Sequence, residues 1–244
     1  MADPVLIFSH GATLNGASWN PVLRHLDPRF RVITVDLPGH GSRRTETYTL
    51  EGAARTIAEA AKQVAPARVV LLGDSLGGYS SIAAASLVAP QQLAGLVVGG
   101  CSVNFVGAPL RALKRRWFFF SKVLIPLFGE ERLVRRLLPK AMKKMGHTEA
   151  DTQAIINAHA RMSAFGEAVA SLANRDMLPA VAQIAAPVVF VNGTRDKYPM
   201  ASEALFVKTA PRGEAKHFDS EHGVTLWKAE EFARFVNDWV AKLP

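Results

Sequence analysis

Ser75 stands at the centre of a Gly-x-Ser-x-Gly pattern at residues 73–77. The pattern follows an apolar run at 69–72 and precedes a run of small and apolar residues at 79–88. Between a strand and a helix, this pattern is typical of a nucleophilic serine, because the strained turn that exposes the hydroxyl leaves no room for neighbouring side chains. The start of the helix also favours negative charge that develops near the serine. We therefore predict that Ser75 is a nucleophile.

A serine hydroxyl needs a base within hydrogen-bond distance, and the chain has 7 histidines. His217 and His222 both lie in or just after the last predicted strand, at 214–218. The spacing to the final helix favours His222, with His217 as the alternative. Asp196 follows the apolar run at 188–191 in a Gly-x-x-Asp turn, so it is the candidate carboxylate that orients the base.

Other reactive residue types near these motifs are predicted to be structural. His10 and His40 lie in glycine-containing turns, and neither has a motif that favours catalysis. Asp74 is predicted to be a variable residue of the turn, although it adjoins the candidate nucleophile. Cys101 is the one cysteine, which excludes a disulfide framework, and we expect it to pack near the end of a strand.

Short β-rich runs alternate with helical patterns along most of the chain. The runs are continuous rather than alternating, as expected of strands that a parallel sheet buries on both faces. They lie at residues 5–8, 32–35, 69–72, 96–98 and 188–191. This order predicts an α/β fold with a doubly wound, mostly parallel sheet.

A helix-rich segment interrupts the alternation between residues 98 and 188. Its helical patterns lie at 111–128, 130–145 and 148–174. We predict one core, formed by residues 1–103 and 181–244, with a helical cap insertion at 104–180. The insertion has 13 basic and 6 acidic residues, a net charge of +7, whereas the rest of the chain has 16 and 15, a net charge of +1.

In order along the chain, these motifs resemble those of the α/β-hydrolase superfamily. His10 begins a His-Gly pair after the first strand, and residues 36–41 form an Asp-x-Pro-Gly-x-Gly turn after the second. The Gly-x-Ser-x-Gly turn at 73–77, which we call the elbow, follows. Asp196 comes next, at the position where the superfamily usually has its acid, and His222 precedes an Ala-Glu-Glu-Phe segment. The resemblance is closest to compact serine esterases with a helical cap.

The resemblance implies a catalytic triad of Ser75, Asp196 and His222. The backbone N–H of Leu76, directly after the nucleophile, is expected to form half of an oxyanion hole. The resemblance assigns the other half to the backbone N–H of Ala12. Such a triad needs no cofactor or metal ion, and the sequence has no spacing typical of a metal site.

Hydrolysis of carboxylic esters through an acyl-enzyme is the simplest reaction for this apparatus. The apolar content of the insertion favours small, hydrophobic acyl or alcohol groups. One alternative is a C–C bond hydrolase, a lyase or a thioesterase that acts on a carboxylated metabolite. Relatives with lyase activity carry lysine after the catalytic histidine, whereas this chain has Gly223. Another alternative is a non-catalytic ligand receptor built on the same scaffold.

The positive charge is concentrated at residues 111–144, which contain 11 Lys and Arg but 2 Asp and Glu, interleaved with aromatic residues. Three hypotheses account for it: a solvated basic face of the cap, peripheral contact with an anionic membrane, or an inward-facing arginine that recognises an acidic substrate. Nucleic-acid binding is not expected, because no reader motif accompanies the charge. The N-terminus shows no secretory signal, so we expect a cytoplasmic protein. The expected partner is a small-molecule ester substrate, as the resemblance implies.

Overall fold

In the computed structural model, which describes residues 3–107 and 117–244, six strands form one sheet. The strands are β1 Val5–Ser9, β2 Val32–Val35, β3 Val69–Asp74, β4 Leu93–Gly99, β5 Val188–Gly193 and β6 Gly213–Phe218. Their order is β2-β1-β3-β4-β5-β6, and each neighbouring pair is parallel. The structure thus confirms the α/β fold with a mostly parallel sheet.

The central strands are buried on both faces, which explains their continuous apolar runs. Ile7 and Leu71 pack into the hydrophobic cluster on one side of the sheet. Their chain neighbours Phe8 and Leu72 pack into the cluster on the other side. All four side chains are fully buried, so each face of the sheet has its own core.

Helices cover both faces of the sheet. On the first face, Thr49 caps the helix Leu50–Gln63, called α2, by accepting a hydrogen bond from the backbone N–H of Gly52 at 3.0 Å. The buried residues of α2 recur at helical spacing, as the sequence predicts. The helices that connect or flank the strands are α1 Asn20–Leu23, α2 Leu50–Gln63, α3 Leu76–Ala85, α8 Leu178–Ala182, α9 Lys197–Thr209, α10 Val224–Trp227 and α11 Ala229–Val240.

The segment between β4 and β5 is helical where the structure describes it. It contains a π-helix at Phe120–Leu124 and the helices α4 Ile125–Phe128, α5 Glu130–Lys144, α6 Glu149–Asn157 and α7 Ala164–Leu172. The start of the helix predicted at 111–128 lies outside the described residues. None of the helices in the described ranges is long and apolar enough to cross a membrane. The boundary predicted at residue 180 falls within α8, whose Val181 is buried in the core.

The long helix predicted at 148–174 is two helices, because a contact from the first loop of the chain ends α6. The side-chain amide of Asn15 donates hydrogen bonds to the carbonyl oxygens of Ile155 at 2.8 Å and Ala158 at 2.9 Å. These carbonyls lie at the C-terminal end of α6, where the helix itself supplies no donor and the N–H of Ala160 reaches only Ile155, at 3.3 Å. His159 then adopts a φ of 62°, which turns the chain away from the helix axis.

Replacing Asn15 with alanine is expected to lower the free energy of unfolding by about 1 to 2 kcal/mol, because the carbonyl of Ala158 loses the Asn15 donor and that of Ile155 keeps only the N–H of Ala160. Urea denaturation of the full chain, followed by circular dichroism, measures the change. Asn157→Ala removes the same side chain from an exposed position of α6. That control should stay within about 0.5 kcal/mol of the parent protein. Equal effects of the two substitutions would contradict the role given to Asn15.

Candidate active site

The turn between β3 and α3 presents Ser75 in a strained backbone conformation. Its φ of 51° and ψ of −109° lie outside the regions that residues with a side chain favour. Two glycines permit this turn. A Cβ atom on Gly77 would lie 2.1 Å from the carbonyl oxygen of Ser9, and one on Gly73 would lie 2.4 Å from that of Gly77. No larger residue fits at either position, so the Gly-x-Ser-x-Gly pattern is a packing requirement.

The structure brings Ser75, His222 and Asp196 into one hydrogen-bonded chain. The Oγ atom of Ser75 lies 2.9 Å from Nε2 of His222, and Nδ1 of His222 lies 2.5 Å from Oδ2 of Asp196. Asp196 follows β5 and His222 follows β6, so the ends of neighbouring parallel strands supply both groups. This geometry lets Nε2 accept the serine proton while the N–H at Nδ1 donates to the carboxylate.

The alternative base, His217, has a different partner. Its Nε2 lies 2.6 Å from Oε1 of the buried Glu203. Asn192 donates to the other carboxylate oxygen of Glu203 at 2.6 Å. This network joins β5, β6 and α9 beside the triad, so the structure selects His222 over His217 as the partner of Ser75.

The loop that holds Ala12 is fixed beside the elbow by two buried histidines. Nε2 of His10 accepts the N–H of Leu37 at 3.1 Å, and Nε2 of His40 accepts the N–H of Thr13 at 3.3 Å. Burial lowers the pKa of His10 to about 3 and also lowers the pKa of His40, so both rings stay neutral acceptors. They therefore have the structural role that the sequence predicts.

Ala12 and Leu76 line the same cavity as Ser75. Leu76 is the first residue of α3, where a backbone N–H has no partner within the helix. A Cβ atom on Gly11, the residue before Ala12, would lie 3.7 Å from Cβ of Ser75. The two backbone segments predicted to form an oxyanion hole thus both lie close to Ser75.

Asp74 is more than a variable residue of the turn. It is buried, and its Oδ1 atom has no hydrogen-bond partner among the described residues. Burial raises the pKa of Asp74 to about 6, although the positive charge of His222 and a hydrogen bond with Thr225 oppose the rise. No local sequence pattern indicates this, because Thr225 and His222 approach Asp74 from a distant part of the chain. Asp74 thus places a second carboxyl group near the imidazole.

The carboxylates near His222 control its protonation. Burial alone lowers the pKa of His222, but the hydrogen bond to Asp196 and the charges of Asp74 and Asp196 outweigh that effect. The net result is a pKa of His222 above the ordinary value for histidine. Cys101 is unlike these groups, since burial raises the pKa of its thiol and the side chain packs in the core, as predicted.

A cavity of about 480 Å³ opens above Ser75. Its wall is almost entirely apolar, and none of the described residues that line it is arginine or lysine. The hypothesis of an inward-facing arginine that recognises an acidic substrate is therefore not supported by the described wall. The apolar part of the wall includes Leu76, Tyr79, Val103, Phe105, Phe165, Ala168, Val169, Leu172 and Pro199. The described residues contain no group of three or more side chains able to hold a metal ion.

The sequence model of the alpha/beta hydrolase family matches residues 6–235. The chain belongs to this family. Among curated proteins, it is 28% identical over 256 residues to the pimeloyl-[acyl-carrier protein] methyl ester esterase of Xanthomonas campestris pv. campestris, covering 99% of this chain and 96% of the relative. It is also 28% identical over 215 residues to the 2-(acetamidomethylene)succinate hydrolase of Mesorhizobium japonicum, covering 86% of this chain and 76% of that enzyme.

A solved structure of similar fold agrees with this architecture. The thermophilic esterase of Thermogutta terrifontis superposes with a TM-score of 0.75 at 21% identity, covering 98% of this chain and 90% of the esterase. At this identity the likeness concerns the fold alone.

The acid limb of the pH–activity profile is expected to have its midpoint above the ordinary pKa of histidine, because His222 must be neutral to accept a proton. Asp74→Asn should move this midpoint to lower pH, since removal of a nearby negative charge destabilises the protonated imidazole. The measurement is kcat/KM for a soluble ester as a function of pH.

The matched control is Asp219→Asn. Asp219 lies three residues before His222 in the chain, and its exposed carboxylate pairs with Arg195. This variant should keep the midpoint of the parent enzyme. An Asp74→Asn enzyme with an unchanged or higher midpoint would show that the carboxyl group does not act on His222.

Proposed function

We propose that the protein is a serine hydrolase that cleaves carboxylic esters with apolar acyl or alcohol groups through an acyl-enzyme. One observation carries the proposal: the hydrogen-bonded chain of Ser75, His222 and Asp196 opens into an apolar cavity. The curated relative from Xanthomonas, which is named as a methyl ester esterase, supports the same class of reaction.

In the first half of the proposed reaction, Oγ of Ser75 attacks the ester carbonyl carbon while Nε2 of His222 takes the hydroxyl proton. Asp196 holds the N–H at Nδ1 and stabilises the imidazolium ion that forms. The backbone N–H groups of Ala12 and Leu76 stabilise the oxyanion of the tetrahedral intermediate. His222 then gives its proton to the leaving alkoxide, so the alcohol departs and the acyl group stays on Ser75.

In the second half, a water molecule attacks the acyl-enzyme while Nε2 of His222 takes one of its protons. The tetrahedral intermediate collapses, the bond to Oγ breaks, and His222 returns the proton to Ser75. The carboxylic acid is released and the triad returns to its starting state. Each half needs a neutral imidazole at its start, which agrees with the pH dependence expected from the pKa of His222.

The apolar wall favours the acyl or alcohol groups that the cavity can shield from water. The curated relative from Xanthomonas is named for a methyl ester of a pimeloyl group on an acyl-carrier protein. Alkyl esters of aliphatic acids form the substrate class that we propose here. A carboxylated substrate fits less well, because the described wall offers no basic side chain to a second carboxylate. The cytoplasmic location and the cap boundaries stay predictions.

Removal of a triad group is expected to lower kcat by roughly 10⁴-fold. Ser75→Ala removes the nucleophile, Asp196→Asn removes the charge that orients the imidazole, and His222→Gln removes the base. Hydrolysis of a p-nitrophenyl ester measures each loss, with thermal unfolding as the test of folding. His217→Gln is the matched control, and its kcat should stay within about threefold of the parent enzyme. Turnover that survives Ser75→Ala would refute the proposed mechanism.

A larger side chain in the cavity wall should shorten the acyl chain that the enzyme prefers. Val169 lies on α7 and lines the cavity, so Val169→Phe takes up space that a longer acyl group needs. We expect kcat/KM to fall by at least about tenfold for an octanoate ester and far less for an acetate ester.

Ala170→Phe is the control for that variant, because its side chain lies on the exposed side of the same helix. It should leave the chain-length profile of the parent enzyme unchanged. If Val169→Phe lowered kcat/KM equally for short and long esters, the acyl group would not lie beside Val169. A single slow turnover by the parent protein would instead favour the ligand-receptor alternative.

A further inference from the structure

Apart from Ser121 and the exposed Lys122, the helical segment at 117–128 is apolar on both of its faces. On the inner face, the ring of Trp117 lies 5.1 Å from that of Phe120 and 4.7 Å from that of Phe165. The outer side chains are exposed, and we call them the apolar face: Phe118 at 64%, Phe119 at 55%, Val123 at 42%, Leu127 at 69% and Phe128 at 48%. Helices that are apolar all round are normally buried in a core or in a membrane.

This concentration of exposed apolar side chains is unusual for a surface helix. Single exposed hydrophobic residues are common on protein surfaces and need no explanation. Five large ones within eleven consecutive residues form a continuous patch, and such patches mark sites that bind a partner or a membrane.

A row of basic side chains follows the apolar face in the chain, on the next helix. Arg132, Arg136, Lys140 and Lys143 recur at helical spacing on α5 and are all exposed, and we call them the basic stripe. The opposite side of α5 packs inward through Val134 and Met142. None of the four basic residues forms an ion pair within the ranges 3–107 and 117–244. Like charges at this spacing repel one another, so the stripe is stabilised when an anionic surface approaches it.

We propose that the apolar face and the basic stripe together bind the surface of an anionic lipid bilayer. Aromatic and aliphatic side chains insert below the headgroups, while lysine and arginine remain at the level of the lipid phosphates. The charge of the described segment 117–144 supports this choice, since it holds 7 basic and 2 acidic residues, a net charge of +5. The same charge opposes pairing with a second copy of the chain, because two basic stripes would face each other.

The proposed surface lies next to the cavity. Trp117, on the inner face of the segment, contacts Phe165, and Phe165 lines the cavity above Ser75. A bilayer bound at the apolar face would therefore lie close to a site that favours apolar groups. The binding itself goes beyond the proposed reaction, because it depends on the outer surface and not on the triad.

Co-sedimentation with vesicles tests the proposal directly. The full chain, as the parent protein and as Ser75→Ala, is mixed with phosphatidylcholine vesicles that do or do not contain phosphatidylglycerol. We expect both proteins to bind the anionic vesicles far more strongly than the neutral ones. High salt should weaken this binding, because it screens the attraction between the basic stripe and the lipid phosphates. Binding by Ser75→Ala separates the surface from the proposed hydrolysis.

Substitutions in each part of the surface should act separately. Phe118→Ser with Phe119→Ser is expected to weaken vesicle binding by at least about tenfold for each residue. Arg136→Gln with Lys140→Gln should weaken it by roughly fivefold for each charge and reduce its dependence on salt. These residues lie outside the described cavity wall, so hydrolysis of a short soluble ester should be unchanged.

Matched controls come from α9, which carries an exposed leucine and an exposed lysine. Leu205→Ser and Lys208→Gln should leave vesicle binding at the level of the parent protein. Equal binding to neutral and anionic vesicles, or equal losses in the control and surface variants, would overturn the proposal. Binding of an acidic carrier protein, with no binding to anionic vesicles, would also overturn it and assign the surface to a protein partner.

Discussion

The close packing of α3 against β1 is the contact on which the site depends. Gly77 brings the first turn of α3 onto the end of β1, where even a single methyl group would collide with the carbonyl oxygen of Ser9. The Ser9 hydroxyl strengthens this junction, since it lies within hydrogen-bond distance of the Gly77 carbonyl oxygen and of Ser81. Because β1 leads directly into the loop with Ala12, the same contact places that loop beside Ser75.

The parallel sheet then decides which groups can reach the serine. Parallel strands end at one edge, so the loops after β3, β5 and β6 meet there. The loop after β4 lies between them and contributes no carboxylate. Its Gly100 leaves room for the imidazole of His222. A Cβ atom on Gly100 would lie 2.8 Å from Cε1 of His222, so a side chain there would displace the imidazole. Gly100 therefore cannot itself be replaced by a carboxylate residue without moving the imidazole.

Local sequence patterns were enough to predict the strands and the hydrogen-bonded residues. The apolar runs predict strands because two-sided burial makes each strand apolar along its length, and glycine spacing predicts the elbow because of steric limits. The break between α6 and α7 was missed, because it depends on Asn15, which lies far away in the chain. The burial of Asp74 was missed for the same reason. Contacts between distant segments leave little trace in a local pattern.

The positive charge of the insertion is not found in the described wall of the cavity above Ser75. Most of the excess positive charge lies in the helical insertion, yet the described cavity wall has no basic side chain. The carboxylate of Asp196 is buried, whereas the imidazole of His222 stays half exposed at the edge of this wall. A basic residue in the wall would oppose protonation of His222 and weaken the base. Within the described residues, α5 instead places its basic side chains at exposed positions, away from this wall.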